Sequence, residues 1–206
     1  MKGIINFDKP TGMTSFKVVK LVRKKLDIRK VGHTGTLDPA ASGVLPICVG
    51  RATKVTRFVT ETKKEYEAEL ELGVQTDTLD SEGEVIARQE VPKLDTTEIK
   101  QAFSQFTGEI EQIPPMYSAL KHNGERLYEL AREGKEVDRE PRQVNIYNLD
   151  LLKIDLPLIR FKVTCSKGTY IRTLVADIGG ELGPGAYLTS LLRTRVGSFI
   201  LENSTT

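Results

Sequence analysis

Residues 65–72 (EYEAELEL) alternate without a break, with Tyr66, Ala68, Leu70 and Leu72 on one side and Glu65, Glu67, Glu69 and Glu71 on the other. A period of two over that length predicts an antiparallel strand with one buried face and one wet face. Shorter apolar or alternating runs predict strands at 3–7, 45–49, 84–88, 144–154, 159–165 and 196–201, the fourth and fifth lying on either side of Pro157. Over 15–26, Phe16, Val19, Val22 and Leu26 recur at helical spacing with Thr14 or Ser15 as cap, which predicts a helix. Asp95 and Glu98 form a capping-box pattern that opens a helix reaching about Phe106. Further helices are predicted at 52–59, 125–132 (ended by Gly134), 169–182 and 187–193. Residues 30–43, rich in Gly, Thr and Pro, read as a loop, and Pro114–Pro115 interrupts regular structure. No internal repeat is present. The expected fold class is α+β, a mainly antiparallel sheet flanked by helices and loops, in one domain over 1–206.

Composition narrows the class. A chain of 206 residues with 39% hydrophobic and 28% charged positions matches a globular protein able to bury its own core. Cys48 and Cys165 each lie in an apolar run, outside any CxxC pair, and are expected as buried thiols in a reducing compartment. The N-terminus MKGIINFDKPTG has no long apolar stretch of the signal-peptide kind, and no run approaches membrane-spanning length. The expectation is a cytoplasmic protein. Net charge is only +2, but Lys17–Lys30 collects seven cations against Asp27 alone. Such a cluster either binds phosphates or forms a solvated helix face. Residues 118–142 are a long, highly charged excursion with few apolar anchors beyond Leu120, Leu127, Tyr128 and Leu130. They are expected to be mobile and functional.

The densest chemistry lies in Gly32–Gly50, GHTGTLDPAASGVLPICVG. Pro39 biases Asp38 away from helical geometry, and loops on a rigid scaffold are where reactive side chains concentrate. From residue types alone, Asp38 could be a nucleophile, a general base, a metal ligand or merely the acceptor of an Asx-turn. A metal finds little support: His33 and His122 are the only histidines, and HExxH and CxxC are missing. There is no GxSxG elbow for a serine triad and no Walker loop.

The segment GHTGTLDPAASGVLPICVGRATK resembles the catalytic signature of the TruB family of pseudouridine synthases. DKPTGMTS at 8–15, KKEYEAEL at 63–70, PPMYSALKHNGERLYELAREG at 114–134 and SKGTYIRTLVADIG at 166–179 are similar to its other blocks, in the family's order. The resemblance implies a cofactor-free isomerase acting on a uridine at position 55, in the T loop of tRNA. Asp38 then occupies the catalytic position, Tyr66 stacks on the base and assists at C5, and Arg172 pairs with the carboxylate. His33, Tyr170, Leu191 and Lys9 take substrate-binding or supporting places. Lys17, Lys20, Arg23, Lys64, Lys121, Arg126, Arg132 and Arg142 are candidates for RNA-backbone contact.

The resemblance also places a thumb-like insertion near 118–142. The family's small C-terminal RNA-binding domain has no counterpart before the sequence stops at ENSTT. A monomer with no obligatory protein partner is expected, with the T stem-loop as its ligand. Two alternatives stay open at this level: a guide-RNA-dependent pseudouridine synthase acting on ribosomal RNA, and a non-catalytic RNA-binding module.

Overall fold

The structure is a computed structural model and describes residues 2–206. In chain order its elements are β1 (Gly3–Lys9), α1 (Ser15–Leu26), β2 (Val31–His33), β3 (Ser42–Val49), α2 (Thr56–Thr60), β4 (Lys64–Leu72), β5 (Val74–Thr76) and β6 (Val85–Arg88). There follow α3 (Thr96–Gln105), β7 (Gly108–Gln112), β8 (Lys121–His122), β9 (Glu125–Arg126) and α4 (Leu127–Arg132). The chain closes with β10 (Arg142–Asp155), β11 (Leu158–Cys165), α5 (Ile171–Glu181), β12 (Ala186–Val196) and β13 (Phe199–Ile200). Nine strands form one sheet with the path β1-β3-β12-β4-β11-β10-β7, while β2 pairs with β3 and β13 with β12. All its pairings are antiparallel except β3 with β12.

The uninterrupted alternation of β4 has its expected result. Tyr66, Ala68, Leu70 and Leu72 are buried, and the four glutamates are half-buried on the other face. There they meet cross-strand partners, Glu65 with Lys162 at 3.0 Å and Tyr187 donating to Glu71 at 2.8 Å. The buried face carries Leu70, Phe161 and Ile146 against Ile99 and Phe103 of α3 and Leu174, Val175 and Ile178 of α5. Each such side chain, fully buried, contributes roughly 1.5–3 kcal/mol. A second cluster packs Val18, Val19 and Val22 of α1 on Leu45, Ile47 and Val49 of β3. Helix α1 begins where expected, with Thr14 Oγ1 accepting from the Lys17 amide, and α3 has both bonds of its capping box. Cys48 and Cys165 are buried free thiols.

Four expectations need correction. Residues 187–193 are not a helix but the middle of β12, a central strand of the sheet. Two register shifts, between Leu188 and Ser190 and between Arg193 and Arg195, break its alternation. Each bulge moves later side chains to the opposite face, so the period of two disappears from the sequence. Residues 30–43 are not all loop: β2 and the start of β3 fall within them. Phe16 is off the core face, 53% exposed, with Lys20 Nζ 5.0 Å from its ring centroid. The helix expected over 125–132 starts at Leu127, because Glu125 and Arg126 pair with β8 in a two-stranded hairpin.

Candidate active site

The loop 34–41 connects β2 to β3 and is fastened on every side of Asp38. Ser15, at the start of α1, accepts from the Leu37 amide at 2.8 Å and donates to the Leu37 carbonyl at 2.9 Å. Leu37 itself is buried in the main core. On the other side, the Gly12 amide and the Lys9 ammonium both donate to the Pro39 carbonyl, at 2.8 and 3.3 Å. The Ala41 amide closes a turn on the Asp38 carbonyl at 3.1 Å. The backbone flanking the carboxylate is therefore set by bonds from α1 and from the end of β1.

Asp38 projects into a cavity of about 300 Å³ whose lining includes Tyr66, Tyr170, Arg172, Leu191 and Arg193. Its side chain is 38% exposed, toward the opening, with protein crowded around the rest. Arg172, from the first turn of α5, is 6% exposed and holds Asp38 Oδ2 at 3.0 Å. The same guanidinium reaches Asp80 Oδ2 at 3.4 Å and donates to the carbonyls of Thr78 at 3.0 Å and Tyr117 at 2.8 Å. Asp80 is fixed in turn by Thr78 Oγ1 at 2.6 Å and the Glu82 amide at 3.0 Å. Arg172 thus joins Asp38 to two stretches, 78–80 and 117, which also meet where the Tyr117 hydroxyl donates to Asp77 at 3.2 Å.

Burial pushes the Asp38 carboxyl above the ordinary carboxylate range. Arg172 opposes that rise, Asp80 adds to it, and Lys9 and Arg193 weigh against it. Burial also raises the Tyr66 phenol, with Arg193 as the main opposing charge. The arrangement provides a carboxylate held by a cation that it shares with Asp80, facing an aromatic ring across a space that admits a small planar group. Among the described residues no group of three or more His, Cys, Asp or Glu side chains is placed to hold a metal.

Six of the residues singled out in the sequence (Asp38, Lys64, Tyr66, Tyr170, Arg172 and Leu191) line this one cavity. Several candidates spend their polar groups on the protein itself. Lys9 is 0% exposed and spends its ammonium on the carbonyls of Pro10, Met13 and Pro39, so it supports the loop rather than contacting a ligand. Burial lowers its pKa to about 8. His33 ends β2 outside the cavity lining; its Nδ1 accepts from the Gly35 amide at 3.4 Å, and burial lowers its pKa. Lys64, a candidate for phosphate contact, is buried in the cavity lining, its ammonium bonded to the carbonyls of Thr60 and Thr62. Arg23 is half-buried and donates to the Val31 carbonyl at 2.9 Å, tying α1 to β2. Lys17, Lys20, Lys121, Arg126, Arg132 and Arg142 are exposed.

Three residues of the site went unread in the sequence. Asp80 lies in TDTLD, an ordinary turn composition. Gln112, at the end of β7, receives the Tyr170 amide at 3.0 Å and donates back to its carbonyl at 3.2 Å, a buried reciprocal pair that orients the cavity wall. Arg193 was hidden with the strand that carries it.

Comparison with known proteins adds a second line. Residues 23–171 match the family described as TruB family pseudouridylate synthase (N terminal domain). The tRNA pseudouridine synthase B of Clostridium tetani is 55% identical over 99% of this chain and 71% of its own length. That of Clostridium kluyveri is 56% identical over 99% of this chain and 70% of its own. Among solved structures, one of a Cbf5-Nop10-Gar1 complex superposes with a TM-score of 0.76 at 36% identity, covering 96% of this chain and 50% of that chain. An H/ACA RNP bound to a substrate RNA containing 2′-deoxyuridine gives 0.71 at 32% identity, covering 96% and 48%. The chain therefore spans about half the length of these solved relatives.

Proposed function

We propose that this chain, which belongs to the TruB family of pseudouridylate synthases, isomerises a uridine of tRNA to pseudouridine, at position 55 in the T loop. One observation carries the assignment: the Asp38 carboxylate, held by Arg172, opens onto a cavity walled by the Tyr66 ring. In the reaction the N1–C1′ bond breaks, the uracil turns, C5 joins C1′, C5 loses its proton and N1 gains one. Asp38 serves either by attacking the sugar or by removing a proton from it to give a glycal. Arg172 keeps the carboxylate ionised and aimed, as charge-assisted pairing does. Tyr66 and Tyr170 provide surfaces for the base while it is detached.

A base inside a folded loop must be extruded first, at a cost of a few kcal/mol offset by stacking and phosphate contacts. Single-stranded RNA loops are recognised in this way, by shape and splayed bases. The exposed Lys17, Lys20, Lys121, Arg126, Arg132 and Arg142 supply the cations for the backbone, with 118–142 as a thumb over the loop. The identity of 55–56% to tRNA enzymes, against 32–36% to the solved ribonucleoprotein structures, favours tRNA over a guided substrate. No helix among the described residues is long and apolar enough to cross a membrane. A tRNA substrate and buried free thiols support action in the cytoplasm, and we propose a monomer needing no protein partner.

The test is tritium release from C5 of a labelled T stem-loop RNA. The wild-type chain releases tritium; Asp38→Asn binds the RNA comparably and releases none. Substantial turnover by Asp38→Asn would remove Asp38 from the chemistry.

A further inference from the structure

Strand β12 brings to the cavity a cation that the chemistry above leaves unused. Arg193 is 2% exposed, and among the described residues it forms no ion pair. A buried charge without a carboxylate is costly unless hydrogen bonds satisfy it, and here carbonyls do so. Nε donates to Val44 O at 2.7 Å, Nη1 to Thr36 O at 3.3 Å and Nη2 to Gly35 O at 3.3 Å. Two of those carbonyls belong to the loop that presents Asp38.

The strand register is equally specific. Arg193 lies opposite Tyr66 across β4 and beside Gly43 across β3. A Cβ on Gly43 would come within 2.3 Å of the Arg193 carbonyl oxygen, so the two backbones are pressed together at this point. Both side chains line the cavity, and Arg193 is the main charge that opposes the effect of burial on the Tyr66 phenol. The other titratable groups around the pair are Asp38, Cys165, Lys64, His33 and Lys9.

We propose that Arg193 is a positioning residue that locks the loop 35–38 and the Tyr66 phenol into one frame, fixing the separation between the carboxylate and the ring that faces the base. The fork geometry of arginine suits this, since three carbonyls at different angles are met by one planar group. Lysine, a point charge on a flexible stem, would keep the charge and lose the frame. The inference rests on the isomerase assignment for its kinetic consequence, but the contact with Tyr66 stands apart from it.

The test uses the whole chain carrying Arg193→Lys or Arg193→Met. Four quantities are measured: thermal unfolding, Kd for the T stem-loop RNA, the single-turnover rate of tritium release, and the ultraviolet titration of Tyr66. The last is isolated as the difference between wild type and Tyr66→Phe. The expected Kd stays within about threefold of wild type while the rate falls, since the frame acts on geometry rather than on affinity. A misplacement on the ångström scale costs on the order of 100-fold, expected for methionine, with lysine recovering about a tenth of the wild-type rate. The Tyr66 titration moves to higher pH in Arg193→Met and stays near wild type in Arg193→Lys, because burial is then still opposed by a charge.

A folded Arg193→Met with a wild-type rate, or an unmoved Tyr66 titration, overturns the inference. If Arg193→Met does not fold, Arg193→Lys decides: a wild-type rate overturns the inference, and a reduced rate at unchanged Kd supports it. Absence of tritium release by the wild-type chain would instead refute the isomerase assignment, and the titration would still test the Arg193–Tyr66 contact.

Discussion

Replacing Arg172 by methionine keeps most of the stem volume and removes the guanidinium, so its consequences can be worked from the four acceptors it leaves. Asp80 is the costly one. It is 6% exposed, and Arg172 is its cationic partner. Breaking a buried pair from one side costs about 3–5 kcal/mol. The buried Thr78 carbonyl loses a donor, which adds about 1 kcal/mol. Asp38 and the Tyr117 carbonyl lie nearer the opening, where water can replace the lost bonds, and add little. The sum of about 4–6 kcal/mol is a large share of the roughly 5–15 kcal/mol that holds a typical domain folded.

Adding Asp80→Asn to Arg172→Met should return roughly half of that loss, because the amide keeps the Oδ1 acceptor for Thr78 and Glu82 without a stranded charge. The assay is urea unfolding followed by far-ultraviolet circular dichroism, suited to a chain with no tryptophan. Two results would refute the reasoning: a loss below about 1 kcal/mol in Arg172→Met, the size of a single neutral hydrogen bond, or a double variant no more stable than the single one.

Other outcomes follow from the same structure. The folded-state pKa of Asp38 lies above its unfolded value, so its contribution is neutral below the ordinary carboxylate range, and a penalty builds as pH rises from that range to the raised pKa and stays constant above it. Asp38→Asn should therefore gain stability relative to wild type as pH rises above the ordinary carboxylate range, about pH 4; urea midpoints that keep a constant difference as pH is raised from there would contradict this. Charge reversal at Lys17 and Lys20 together should lower the log–log salt slope of RNA binding by about 1.4, at about 0.7 per single-strand phosphate; an unchanged slope would make that face of α1 a bystander. Trypsin should cut at Lys121, Arg126 and Arg132 in the free chain, where these side chains are exposed, and more slowly with T-loop RNA bound. Equal rates would mean that 118–142 does not close on RNA.

How much of this was legible in the sequence depended on how local the signal was. The period of two in β4 is undisturbed, and the Asp95–Glu98 box lies within one turn, so strand and helix could be read directly. Asp38 stands in a loop that concentrates Gly, Thr and Pro around one carboxylate, but residue types left its role open, and only the resemblance to the TruB family singled it out. The bulges of β12 erased its alternation and left Tyr187, Leu188, Leu191 and Leu192 at a spacing that also suits a helix. Arg193 and Asp80 act through partners more than 90 positions away in sequence, Gly35 and Arg172 among them. Nothing in their own neighbourhoods marks them. Phe16 obeyed helical spacing yet faces outward, because the face of α1 that meets β3 is set by Val18, Val19 and Val22.

The place of β12 between β3 and β4 has a consequence for synthesis. The strands β1 and β3 join the rest of the sheet through a strand whose contact residue, Arg193, lies 150 positions after its neighbour Gly43. At roughly 5–20 residues per second, ribosomes need about 8–30 s to make that stretch. During that interval the loop bearing Asp38 exists, but the strand that clamps it does not. The nascent chain should thus hold β1 and β3 apart from the middle strands, with the edges of β3 and β4 that receive β12 open, until residues 186–196 have been made. Pairing at such separation is intrinsically slow. The frame around Asp38 should close abruptly, when β12 slides between two preformed edges, making this interval the one in which chaperones have most to protect.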